Sequence, residues 1–97
     1  MDFAAFKSSI ERKAPPDGMS KAVEALWWDA KDDWKQAHEC AQAQDDKEGA
    51  WVHAYLHRKE GDRSNAGYWY RRAGKKMAEA SLQDEWEAIA RSLLASG

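Results

Sequence analysis

Residues with β-branched side chains are nearly absent from this chain, and their scarcity limits the folds open to it. The 97 residues include two valines, two isoleucines and no threonine, against eighteen alanines. Strands are built largely from β-branched and aromatic residues, whereas alanine is the best helix former. Six tryptophans supply the large apolar surface that a core in so short a chain needs. The sequence therefore predicts an all-α fold.

Two prolines and a glycine divide the chain near its start. Before them, Phe3, Phe6 and Ile10 are spaced to lie on one face of a short helix. The segment 14–18 contains both prolines and cannot continue that helix. We therefore expect a docked N-terminal helix and a linker in residues 1–19, followed by a single domain over residues 20–97.

The first apolar stripe of the main domain is long enough for one helix or two. It runs from Val23 to Ala41 at alternating spacings of four and three residues. The segment 31–33 interrupts it with Lys-Asp-Asp, and an aspartate there could cap a new helix before Trp34. This break favours two helices.

Three more helices are expected after this stripe. The first is capped by Asp45 or Asp46 and ends at Gly61. The second carries an apolar face that extends to Met77, and the third begins at a Ser81 cap. The expected fold is a compact bundle of about five helices, arranged as antiparallel hairpins. The large aromatic residues predicted to be mostly buried in its core are Trp27, Trp34, Trp51, Trp69, Tyr70 and Trp86.

An internal repeat relates residues 25–41 to residues 54–70 and aligns Asp33 with Asp62. The second unit, Ala50–Gly74, resembles a tetratricopeptide or Sel-like repeat. It has small residues in both helices, Gly-Asp at the turn and an aromatic in the second helix. The resemblance implies a helical hairpin with a protein-binding surface. The first unit has Asp32 in place of the glycine, and two units are fewer than a solenoid needs, which favours a compact bundle. The matching residues are Ala54, Gly61, Asp62, Ala66, Tyr70 and Ala73. The stretch from Trp51 to Asp62 is also similar to small bacterial proteins, which implies no activity.

Charge is distributed unevenly although the net charge is only −2. Residues 24–48 hold eight acidic residues and three lysines, a balance of −5, whereas residues 58–76 hold seven basic and two acidic residues, a balance of +5. The two segments can neutralise each other within one chain, or pair between two copies. We therefore expect a monomer or a weak dimer.

Five residues are candidates for binding a partner. Trp28 follows the core residue Trp27, so its ring either faces an interface or is covered by the N-terminal helix through its phenylalanines. The remaining candidates are on the fourth helix, where one aromatic residue accompanies several cations. The aromatic residue is Tyr68, because its neighbours Trp69 and Tyr70 belong to the core stripe. One exposed aromatic beside a few cations is common on protein surfaces, so this surface does not indicate nucleic-acid binding. The candidates on that helix are Tyr68, Arg71, Arg72 and Lys75.

Three histidines form a candidate metal site. His53 and His57 are four residues apart, the spacing that lets two imidazoles share an ion, and a neighbouring helix could bring His38 to them. Glu39 and Cys40 are the candidates for a fourth ligand. No acidic residue is expected on the face of the histidine pair. The sequence therefore favours packed histidines with separate hydrogen-bond partners, and a zinc or small-molecule site, with hydrolytic chemistry as an option, is the alternative.

The remaining sequence gives no reason to expect an enzyme or a cofactor. It contains no nucleophile elbow and no glycine-rich phosphate loop, and the single cysteine forms no disulfide within the chain. It also lacks an apolar run as long as a signal peptide or a membrane span. We expect a cytoplasmic, non-enzymatic interaction module.

Overall fold

The structure is a computed structural model that describes residues 1–96, and over that range it contains six helices and no strand. The all-α prediction is thus confirmed. None of the described helices has both the length and the apolarity needed to cross a membrane. The helices are α1 (Phe3–Ser9), α2 (Lys21–Ala30), α3 (Trp34–Ala43), α4 (Lys47–Glu60), α5 (Arg63–Ala73) and α6 (Leu82–Ser96).

Aspartate side chains cap four of the described helices, at Asp2, Asp33, Asp46 and Asp62. Asp32 adopts a left-handed backbone conformation with φ of 62°, and Asp33 then caps α3. This turn separates α2 from α3, so the long stripe forms two helices. Asp46, and not Asp45, caps α4, since its side chain accepts a hydrogen bond from the Gly49 amide at 2.9 Å.

Helix α5 is shorter than its apolar pattern predicts. It ends at Ala73 because Gly74 takes the left-handed conformation, with φ of 73°, that terminates many helices. Met77 therefore lies beyond the helix, although its side chain still packs against the buried cluster between α4 and α5. The prediction that Met77 lies within the helix is wrong, but the prediction that its side chain packs with the apolar residues of α5 is confirmed.

Helix α4 is the centre of the bundle and packs against α2, α3, α5 and α6. Trp27, Tyr70 and Trp86 are fully buried around it, as predicted. The other three predicted core aromatics are also mostly buried but keep more exposed surface: Trp34, Trp51 and Trp69. Trp69 illustrates the reason, because α5 packs mainly on α4, with Tyr70 bonded to Glu85 of α6, and one side of its apolar face stays open.

The N-terminal helix packs on α6, not on Trp28. Phe6 is fully buried, and its ring stacks on Trp86 with centroids 5.8 Å apart, while Phe3 contacts Trp86 at 6.2 Å. Trp28 is half-buried, lies edge-on to Trp27, and donates a hydrogen bond through Nε1 to Glu24 at 3.3 Å. Neither expectation for Trp28, a free ring or one covered by Phe3 and Phe6, describes it.

Two ion pairs connect the acidic and basic segments of the chain. Lys59 Nζ contacts the buried carboxylate of Asp29 at 2.8 Å, and the exposed pair Arg72–Asp45 has a separation of 3.6 Å. Neutralisation within one chain therefore takes place at these positions.

Buried tyrosines bind both buried carboxylates of the core. Tyr55 Oη donates a hydrogen bond to Asp29 Oδ2 at 2.8 Å, and Tyr70 Oη donates to Glu85 Oε2. Burial raises the pKa of each phenol far above its usual value, and the neighbouring carboxylate adds to the shift. Both hydroxyls therefore stay protonated in the folded protein at pH values where free tyrosine ionises.

We expect stability to fall as pH rises above about 10, the pKa of tyrosine in an unfolded chain. Above that value the unfolded state releases the two protons and the folded state retains them. Each tyrosine then removes about 1.4 kcal/mol of unfolding free energy per pH unit. Urea unfolding at a series of alkaline pH values measures the slope, which Tyr55→Phe and Tyr70→Phe should each reduce. Tyr68→Phe, at an exposed tyrosine, is the matched control, and an equal reduction there would contradict the prediction.

Candidate metal centre

The three histidines come together between α3 and α4. His53 and His57 occupy successive turns of α4 and are buried, while His38 reaches them from α3 and is half-buried. His38 Nε2 and His53 Nε2 are 2.9 Å apart. One ring nitrogen of each histidine lies within 4.8 Å of the other two. The expectation of separate hydrogen-bond partners is therefore wrong for His38 and His53, which bond to each other.

Two half-buried tryptophans hold the imidazole rings in place. Trp69 stacks on His53 with ring centroids 3.9 Å apart, and Trp34 stacks on His38 at 4.9 Å. Trp34 also meets His57 edge-on at 5.9 Å. Trp34 and Trp69 therefore form two walls of the site. Their apolar spacing predicts that they belong to the core but not that they contact the histidines.

Glu60 lies beside His57 and was missed by the sequence-based argument. Its Oε2 atom is 2.5 Å from His57 Nδ1, and because a carboxylate can only accept, the imidazole donates. The expectation that no acidic residue shares the histidine face is wrong. The spacing of three residues between His57 and Glu60 puts them on the same side of α4, and was the available signal.

Burial affects the charge of two of the imidazoles. It lowers the pKa of His53 to about 3, and the charges of His38, His57 and Arg72 act in the same direction. Burial likewise lowers the pKa of His38, with His57 adding to the effect. Both rings are therefore neutral at pH 7, the form in which imidazole binds metal ions.

The two residues considered as a fourth ligand are elsewhere. Cys40 Sγ is buried and contacts Glu24 Oε2 at 3.4 Å, and burial raises the pKa of the thiol to about 11. Glu39 is exposed to solvent. Within residues 1–96, neither joins the group of converging ligand atoms at His38, His53 and His57.

The partner-binding candidates on and after α5 do not form one patch. Tyr68 is 46% exposed, and Arg72 lies beside it with Nη1 3.4 Å from the phenol oxygen. Arg71 is also exposed. Lys75, however, is placed over the ring of Trp51 at 4.2 Å. The face that combines an exposed aromatic ring with cations is therefore limited to Tyr68 and its neighbouring arginines.

Comparison with known proteins adds no assignment. No family model, curated protein or solved structure matches the chain. The resemblance of residues 50–74 to a tetratricopeptide or Sel-like repeat stays a prediction, and function has to be argued from the site itself.

Proposed function

We propose that this protein binds a divalent transition metal of the Zn²⁺ class through His38, His53 and His57. The observation that carries the proposal is the convergence of three imidazole nitrogens, all within 4.8 Å of one another. Tetrahedral Zn²⁺ with Zn–N distances of ~2.0–2.1 Å requires nitrogens about 3.4 Å apart. The separation of His38 Nε2 and His53 Nε2 is 2.9 Å, shorter than that value, and the ligand nitrogen of His57 lies within 4.8 Å of both.

The surroundings of the cluster support a metal of this class. Imidazole nitrogens suit Zn²⁺, Cu²⁺ and Ni²⁺, whereas Ca²⁺ and Mg²⁺ prefer oxygen ligands. Histidines that ligate a metal commonly donate their other ring nitrogen to a carboxylate, which fixes the ring and makes it a better ligand. His57 already does so, because its Nδ1 atom is bonded to Glu60.

Titration of the chelator-treated protein with Zn²⁺ tests the proposal by calorimetry. We expect one equivalent per chain, and His38→Gln should weaken binding by about 100-fold or more because it removes one of three ligands. His38 is the variant of choice because it is only half-buried, and circular dichroism verifies its fold.

Glu39→Gln is the matched control, since Glu39 is exposed and adjacent in sequence but outside the cluster. It should bind Zn²⁺ as the unchanged protein does. Failure of the unchanged protein to take up Zn²⁺, or equal weakening in both variants, would refute the metal site.

Glu60→Gln is expected to weaken Zn²⁺ binding by about 10- to 100-fold without changing the stoichiometry. The amide keeps the size of the side chain but loses the charge that polarises His57. The same calorimetric titration measures this effect. Wild-type affinity in the variant would show that Glu60 has no part in the site.

Protein binding or self-association is a second candidate function. Tyr68 supports it, because a large aromatic ring that is 46% exposed beside Arg72 is a feature of interfaces. We expect a monomer or weak dimer. Light scattering at low and high salt tests which contacts hold a dimer, since charge-mediated association loosens as salt rises. A dimer that persists in high salt would instead implicate Tyr68 or Trp28.

A further inference from the structure

The histidine cluster leaves a metal ion one ligand short. Zn²⁺ and Co²⁺ in such sites take four ligands, and the described residues supply the three nitrogens of His38, His53 and His57. A site with three protein ligands keeps an exchangeable position, which in metal sites is taken by water or by another small ligand.

A cavity adjoins the cluster at His53. It has a volume of about 200 Å³ and lies against the turn between α3 and α4. His53 is the proposed ligand that lines it, together with Trp69, Lys47 and Arg72. The guanidinium of Arg72 lies over the Trp69 ring at 5.0 Å from the centroid, so this cation and one of the three proposed ligands, His53, border the same space.

Two cations and two aspartates line this cavity, so an excess of positive charge there depends on a divalent ion at the histidines. A divalent ion bound there contributes two positive charges, against which the Glu60 carboxylate beside His57 counts one, and Arg72 and Lys47 add to the positive side. Both oxygens of Asp46 are engaged with groups of the chain, namely the Gly49 amide and the Gln44 side chain. Asp45 is 91% exposed at its side chain and contacts Arg72 at 3.6 Å.

We propose that a small oxyanion, a carboxylate or a phosphate, occupies the fourth position of the metal and pairs with Arg72. The inference rests on the proposed metal site. One oxygen of the anion binds the metal, and a second accepts a hydrogen bond from the guanidinium, an arrangement that Arg favours for both kinds of anion. The cavity is large enough for an anion of a few heavy atoms beside Trp69.

Asp45 then acts as a competitor within the chain. Its carboxylate pairs with Arg72 in the structure, at a distance and exposure typical of a weak surface ion pair. An incoming anion replaces Asp45 at the guanidinium. The anion also binds the metal ion, whereas Asp45 is not among the converging ligands. Removing the charge of Asp45 should therefore strengthen anion binding.

The test uses the full chain loaded with one equivalent of Co²⁺, whose visible absorption reports changes in coordination. Acetate and inorganic phosphate are titrated separately. Saturable changes in the spectrum are expected with at least one of them, and the anion that acts at the lower concentration identifies the preferred oxyanion. Co²⁺ that binds with no spectral response to either anion overturns the inference and leaves the metal site intact. Absence of Co²⁺ binding overturns both.

Three variants test the role assigned to Arg72. Arg72→Gln should weaken anion binding about tenfold while Co²⁺ binding is retained, and Asp45→Asn should strengthen it several-fold. Arg71→Gln is the matched control, because Arg71 is exposed on the same helix and does not line the cavity. Equal anion affinity in the Arg72 and Arg71 variants would overturn the assignment of Arg72.

Discussion

Trp27→Ala is expected to lower the free energy of unfolding by about 3–5 kcal/mol. The Trp27 side chain is completely buried, and its removal leaves a large cavity between α2 and its neighbours. Its indole Nε1 also donates a hydrogen bond to the Ser9 carbonyl at 3.3 Å, which ties α2 to the end of α1. The substitution therefore removes apolar contacts and a connection to the N-terminal helix together.

Urea denaturation followed by circular dichroism measures this effect. Domains of this size have about 5–15 kcal/mol of total stability, so the expected loss is a large fraction of the total. Trp69→Ala is the comparison. The apolar stripe places Trp69 in the core as well, but its ring keeps more exposed surface than that of Trp27, so we expect a smaller loss. A larger loss at Trp69 than at Trp27 would contradict the observed packing.

The local features of the fold were predictable because they depend on neighbouring residues. The prolines and Gly18 mark the linker, and Asp33 and Asp62 mark helix starts by their capping side chains. Asp45 and Asp46 could not be separated, since either places an oxygen near the first amides of α4. Two sequence signals disagreed about the end of α5. Gly74 indicates a helix end, whereas the apolar pattern continues to Met77 and predicts a longer helix.

The candidate site was predictable only in part, because it depends on how helices pack. The spacing of His53 and His57 puts them on one face of α4 whatever the tertiary structure. The position of His38 depends on the crossing of α3 and α4, which no local pattern determines. The bond between Glu60 and His57 depends only on their spacing of three residues along α4, so the sequence was sufficient to predict it.

Trp28 shows a further limit of sequence patterns. Two adjacent tryptophans cannot share one face of a helix, so the sequence correctly separates Trp27 from Trp28. Which residues cover the Trp28 ring depends on how the helices pack in the tertiary structure. Phe3 and Phe6 were reasonable candidates, but they lie against Trp86 on α6.

Gly49→Ala is expected to destabilise the protein by about 3 kcal/mol, the upper end of the usual cost of overpacking. Within a helix this substitution normally stabilises, by roughly 0.5–1 kcal/mol, because alanine loses less backbone freedom. Here a Cβ atom would overlap the backbone oxygen of Gln44 and lie 2.9 Å from its carbonyl carbon. Backbone atoms cannot rotate away as a side chain can, so the turn between α3 and α4 has to shift.

Gly67→Ala in α5 is the matched control. Its Cβ would lie 3.5 Å from the end of the Arg71 side chain and 3.8 Å from Met77 Cε, which are ordinary contacts, so this variant should be as stable as the unchanged protein or more so. Urea denaturation of both variants measures the difference. Since the same turn sets His38 on α3 against His53 on α4, Gly49→Ala should also weaken Zn²⁺ binding, whereas Gly67→Ala should not. Equal stability of the two variants would show that the α3–α4 turn can move freely, and would remove the reason to expect a fixed metal site between these helices.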